Sequence, residues 1–205
     1  MKQTMIVTII LFTVILVPFA HSRNEPVLYL NVGASAPTAP ETFSEHWQRN
    51  FNLGGGIGFH LSPNLILQGY VARNNFTLDE DKFFTDYPQL GESVSIDGGE
   101  LKFLTVFGDL KAVLGPSKAR LAPYLIGGGG FSKQYFTDIS ISGKRITVEL
   151  GIASETTFAV AFGAGMDINL SDNFALFIEG RYTIGFTENE SIKYVPVKIG
   201  LGFKL

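Results

Sequence analysis

From Phe158 to Leu170 every second residue is apolar: Phe158, Val160, Phe162, Ala164, Met166, Ile168 and Leu170. Between them stand Ala159, Ala161, Gly163, Gly165, Asp167 and Asn169, all small or polar. A period of two belongs to a strand and not to a helix, so one face of this ribbon is greasy and the other sparse. A sheet made of such ribbons must cover its greasy face with something other than water. Whatever covers it decides the fold.

The pattern recurs along the chain. Alternation places strands at 28–36, 51–61, 65–72, 102–114, 124–131, 157–170, 174–184 and 194–205, with Phe103 and Phe107 blurring the fourth. Most approach the roughly 9–11 residues that a tilted membrane-crossing strand needs. Three of the links are short and polar: "SPN" at 62–64, "SDN" at 171–173 and "GPSKARLA" at 115–122. The others, roughly 37–50, 73–100, 132–156 and 185–193, read as long polar loops. Alternating short and long links predict an up-and-down transmembrane barrel, with turns on the periplasmic side and loops outside.

Alternation alone does not separate a soluble ligand-carrying barrel, apolar inside, from a membrane barrel, apolar outside. The sparse face does. As a solvated surface, Gly54, Gly56, Gly58, Gly163, Gly165, Gly200 and Gly202 would be poor, since glycine weakens strands and offers no charge. Turned inward, the same glycines leave room for bulky polar neighbours in a lumen just wide enough for side chains to fill. Tyr29, Gln68, Tyr70, Asp167, Glu179, Arg181 and Lys198 share that inner face and are the expected polar network. Opposite charges confined there should pair, because an unpaired buried charge is costly. Such a network reads either as a gate on an ion path or as a plug that satisfies the lumen.

Composition fits a membrane residence. Charged residues make up 17% of the 205, against roughly 25% in soluble domains. Net charge is −3, so no basic face marks a nucleic-acid binder. There is no cysteine, which removes disulfides, thiolate chemistry and cysteine-held metals. Residues 1–22 read as a cleaved export signal, with Lys2, an apolar run from Met5 to Phe19, and Ala20-His21-Ser22 at the end. That leaves 23–205 as one barrel domain.

"PYLIGGGGF" (123–131), "GAGMDINLSDNFALFIEGRY" (163–182) and "VKIGLGFKL" (197–205) together resemble the small eight-stranded bacterial outer-membrane β-barrels of the OmpA membrane-domain and OmpX-like group. The resemblance covers nearly all of the mature chain. It implies an all-β, eight-stranded antiparallel transmembrane barrel in the cell outer membrane, with outer-membrane lipids around it. It also implies that Val197, Ile199, Leu201, Phe203 and Leu205 form the signal read by the barrel-assembly machinery. Such strands commonly end in Phe, whereas this chain ends in Leu205 with Phe203 two positions earlier. Pro196 removes one ladder donor close to the expected outer rim.

Chemistry is sparse. His60 and Ser62 in "FHLSPN" invite comparison with a barrel that removes acyl chains from lipid A, but the topology puts them at a periplasmic turn. His46 beside Trp47, in the first long loop, reads as an interfacial or loop-packing pair. "TLDEDKFFTDY" (77–87) lacks the spacing and glycine of a calcium loop and reads as a solvated loop able to meet an extracellular partner. No cofactor, metal or nucleic acid is expected. The expected role is non-enzymatic, structural in the envelope or in surface contact through the loops. The rivals are a narrow solute pore, a lipid A-modifying enzyme and a soluble lipid carrier.

Overall fold

The computed structural model describes residues 26–86, 95–98, 100–116, 119–136, 139–142, 147–150, 154–187 and 190–205. The expected leader at 1–22 lies outside the described residues. Eight long strands close into a barrel: β1 (Val27–Ala39), β2 (Trp47–Ser62), β3 (Leu65–Leu78), β5 (Glu100–Val113), β6 (Leu121–Phe136), β9 (Ser154–Asn169), β10 (Phe174–Phe186) and β11 (Ser191–Lys204). Neighbours pair antiparallel in chain order, and β1 pairs β11 to close the ring. Among the described residues no helix is long and apolar enough to cross a membrane.

The orientation of the faces is the one that the glycines imply. Phe162, Ile199 and Leu201 point outward and are 57%, 59% and 41% exposed, whereas Glu179 and Arg181 are each 4% exposed inside. A closed ring also leaves no unpaired sheet edge, which a lipid environment demands. The soluble-carrier arrangement, with faces reversed, is excluded by this geometry.

The glycines make room at identifiable places. A methyl at Gly54 would run into the ring and hydroxyl of Tyr70, and one at Gly165 into those of Tyr124. Large inner side chains are thus accommodated by an absent side chain on the neighbouring strand.

The strands are longer than the apolar alternation indicated. β3 runs on to Leu78, β6 to Phe136, and β9 begins at Ser154, so the polar ends of 73–100 and 132–156 are strand and not loop. Two links expected to span 37–50 and 185–193 are shorter, because the strands beside them extend. A short helix, Glu41–His46, fills the connection from β1 to β2, and β10 meets β11 across 187–190. A separate small sheet, β4 (Ser95–Gly98), β7 (Ile139–Ser142) and β8 (Thr147–Leu150), pairs a segment of the β3–β5 connection with two from the β6–β9 connection. A second short helix, Glu80–Asp86, follows Asp79, whose carboxylate accepts the Lys82 N–H at 3.1 Å. That hydrogen bond holds the Asp79 carboxyl below its ordinary range.

The short-turn end is tied by polar bridges. Asn64 Nδ2 donates to Gly115 O at 2.7 Å, and Asn169 Nδ2 to Ala119 O at 2.6 Å, joining neighbouring turns. Gly115 carries a φ of 100°, a left-handed conformation that glycine alone adopts without strain.

Candidate functional site

The inner face gathers a charge cluster at mid-barrel. Glu179 on β10 pairs in register with Lys198 on β11, and Lys198 Nζ stands 2.9 Å from Glu179 Oε1. Arg181, two residues on along β10, donates from Nε to the same oxygen, while its Nη1 reaches across the lumen to Asp109 Oδ2 on β5 at 2.7 Å. Tyr124 Oη donates to the other Glu179 oxygen at 2.9 Å. Lys111 Nζ meets Asp167 at 2.7 Å. Positive Lys111, Arg181 and Lys198 thus balance negative Asp109, Asp167 and Glu179.

Aromatic rings insulate these charges. Lys198 Nζ and the Arg181 guanidinium carbon lie 4.0 and 4.8 Å from the centre of the Tyr70 ring. Lys111 Nζ lies 3.8 Å from the centre of Tyr124. A cation on a ring face is stabilised further when desolvated, as here. Tyr70 Oη donates to Asn31 Oδ1 at 3.1 Å. Gln68 is buried and lines, with Tyr29, Tyr70 and Lys111, a void of about 10 Å³ beside Arg181. A second void of about 20 Å³ lies among Asn52, Asn74, Thr105 and Thr183. Each holds about one water at most.

The chain's sequence placed Gln68, Tyr70, Asp167, Glu179, Arg181 and Lys198 on this face, and the structure sets all six there. It pairs them differently from a simple neighbour scheme. Asp167 on β9 turns to Lys111 on β5, one strand beyond its neighbour β6, and Arg181 takes Asp109 as its second acid. Asp109, Lys111 and Tyr124 were not among the expected network. The signal for the first two is in "TVFGDLKAVL", where Asp109 and Lys111 occupy the polar positions.

Toward the long-connection end the lumen changes character. Phe43, from the short helix after β1, packs with Phe76, Leu101, Phe103 and Tyr194, with Trp47 and Ile192 against them. Ring centres lie 5.0 Å apart for Phe43–Phe76 and 5.4 Å for the stacked Phe103–Tyr194 pair. Phe103 and Phe107, which blurred the alternation of their strand, are both buried on the inner face. Between the aromatic cap and the charges, Asn52 Nδ2 donates to Ser35 Oγ at 3.1 Å, and Ser35 Oγ to Asn74 Oδ1 at 2.8 Å.

At the opposite mouth a recess of about 270 Å³ is lined by Tyr29, His60, Asp167, Asp172 and Lys204. His60 pairs with Ile66 and Ser62 with Leu65, beside the tight β2–β3 turn. Val197, Ile199, Leu201 and Phe203 alternate outward along β11, and Leu205 follows its end.

A profile of the outer membrane protein beta-barrel domain matches residues 7–204. The chain belongs to that family. It is therefore an outer-membrane β-barrel, and its exposed apolar belt faces lipid. Solved barrels agree in fold. Neisserial surface protein A is 12% identical, with a TM-score of 0.59 over 88% of this chain and 97% of that one. A major outer membrane protein of Thermus thermophilus is 10% identical, with a TM-score of 0.57 over 88% and 99%. Ail, the attachment invasion locus protein of Yersinia pestis, is 16% identical, with a TM-score of 0.51 over 90% and 100%. No curated protein matches the chain in sequence.

Proposed function

We propose that this outer-membrane barrel is a non-enzymatic, non-conducting element of the envelope that works through its outer connections, as an envelope-structural or surface-contact protein. One observation carries the reading. Across the middle of the lumen, the six paired charges and their tyrosines line voids of about 10 and 20 Å³. A hydrated ion would have to break buried ion pairs, each costing several kcal/mol to separate. The aromatic cap closes the same path a second time. Outside it, the small sheet pairs backbone from two different connections, a built element and not a mere link. The assembly role of the β11 alternation and the removal of residues 1–22 belong to the same proposal.

Planar-bilayer recording of the refolded protein tests the reading. The expected trace stays at baseline at both polarities. Stable steps that change size in Glu179→Gln or Arg181→Gln protein would instead establish the rival, a narrow pore lined by this network. The enzymatic rival makes a separate demand: acyl-chain release from a lipid substrate, abolished in His60→Ala.

A further inference from the structure

The lumen is filled at mid-barrel, but its short-turn end opens into the recess of about 270 Å³. That volume falls just below the roughly 300–1,000 Å³ of pockets for drug-sized ligands, so it suits a smaller solute. Tyr29 and Asp167 form its floor, and Lys111 holds Asp167 there at 2.7 Å. The mid-barrel charges lie behind them, which makes the recess blind. Short turns in such barrels face the periplasm, so the recess opens to periplasmic solutes.

Register divides its wall by charge. Val27 pairs with Gly58 on β2 and with Lys204 on β11. Lys204 and His60, two residues past Gly58, therefore line one side of the mouth. Ala175 pairs with Gly202 on β11 and with Asn169 on β9. Asp167 lies two residues deeper on β9, and Asp172 sits in the turn beyond it, on the other side. β2 and β9 stand four strands apart, the widest separation in a ring of eight. Small Gly202 and Ala175 leave space between the two sides. A methyl on Gly202 would touch the Tyr29 ring at 3.4 Å and take up that space. Val27, Ile66, Val113 and Phe174 complete the lining with an apolar collar.

The charges at this mouth are not spent on each other. Among the described residues, neither Lys204 nor Asp172 forms a salt bridge, unlike the six charges of mid-barrel. Asp167 does face Lys111, which takes up two of the roughly four acceptor positions that a carboxylate offers. We propose that the recess binds a free amino acid with an apolar side chain, its carboxylate on Lys204 beside His60 and its ammonium on Asp172 and Asp167. Opposite charges carried by one small solute meet both sides at once. A simple anion would leave the acidic side without a partner, and a simple amine the basic side. A neutral sugar would answer neither charge.

The test is isothermal titration calorimetry of the full barrel refolded in detergent micelles, with leucine as the probe. Isoamylamine lacks only the carboxylate of leucine, and isocaproate only its ammonium. A hydrogen bond to a charged group is strong enough that losing one lowers affinity about tenfold or more. Leucine is therefore expected to bind at least about tenfold tighter than either analogue. Lys204→Gln should abolish the preference over isoamylamine and keep that over isocaproate, and Asp172→Asn should do the reverse. N-acetyl-leucine and leucinamide, which imitate the two ends of a peptide, should bind as weakly as the analogues. Absence of saturable heat with leucine overturns the proposal, and so does equal affinity for leucine and either analogue; neither result needs a variant to fold. Tighter binding of N-acetyl-leucine or leucinamide assigns the recess to a peptide end and overturns it too, as does an unchanged preference in both variants. Binding is read without current, so the outcome is independent of the bilayer recording.

Discussion

The lumen is closed twice, by opposite means. At mid-barrel the filling is ionic: Glu179, Arg181, Lys198, Asp109, Lys111 and Asp167 neutralise one another among tyrosine rings. Nearer the outer rim it is apolar: Phe43, Phe76, Leu101, Phe103 and Tyr194 pack together like a small soluble core, with Phe76 edge to face against Phe43, Phe103 and Tyr194. The ionic layer is built wholly from barrel strands, so its partners are fixed by register. The aromatic layer borrows Phe43 from a helix between strands. The difference teaches where rigidity resides. A charge layer fails badly when one partner is lost, because the remaining charge has no water to turn to. An aromatic layer loses area by degrees and can settle.

The largest expected effect comes from breaking the ionic layer. Glu179→Ala leaves Arg181 and Lys198 sharing one wall without their common carboxylate and should destabilise the barrel by about 3–5 kcal/mol. Denaturant unfolding in detergent, read by heat-modifiable migration, measures it. An unchanged midpoint would show that the layer is solvated and that the two closures do not differ as described.

Next is the aromatic layer. Phe76 is fully buried between Phe43, Phe103 and Tyr194. Phe76→Ala should cost toward the low end of the roughly 3–5 kcal/mol typical of such truncations, because Phe43 sits on a connection that can move into the space. The same variant should remain non-conducting, since the ionic layer beneath it is intact. Current through Phe76→Ala protein would make the cap, and not the charges, the true closure.

The two layers also differ in how visible they are from residue order. The ionic layer lies where polar residues alternate with apolar ones, so Glu179, Arg181 and Lys198 stand out on β10 and β11. The aromatic layer is hidden, because an inward phenylalanine breaks the rule that apolar residues face lipid. Phe103 and Phe107 therefore look like noise in β5 when they mark its inner face. Cross-barrel partners are hidden for another reason. Asp109 and Arg181 are 72 residues apart and meet only through closure of the ring. The strand extensions past Ala72 and Phe131 escape notice because there the outward residues turn polar, as Arg73 and Lys133 do, while Phe76 is apolar on the inner face, so the apolar-outward contrast vanishes. The small sheet escapes because its strands are four residues each, too short for alternation to be distinguished from chance.

Glycine substitutions give the smallest effects and sharpen the contrast between inner and outer faces. Gly54 and Gly69 both lie in mid-strand, yet their surroundings differ. A Cβ on Gly54 would collide with the Tyr70 hydroxyl and lie 2.9 Å from Tyr70 Cζ and 3.0 Å from Val71 O. One on Gly69 would meet nothing within 4 Å, because that position faces the lipid. Gly54→Ala should therefore displace Tyr70 from its place against Arg181 and Lys198, at about 1–3 kcal/mol for overpacking. Gly69→Ala should fall within about 0.5 kcal/mol of wild type, on the stabilising side, since alanine loses less backbone freedom than glycine. Unfolding midpoints of the two variants measured side by side decide the matter. If both are neutral, inner-face glycines are not making room for the ionic layer, and Tyr70 is free to stand elsewhere. If Gly69→Ala is the more damaging, the assignment of faces on β3 is reversed.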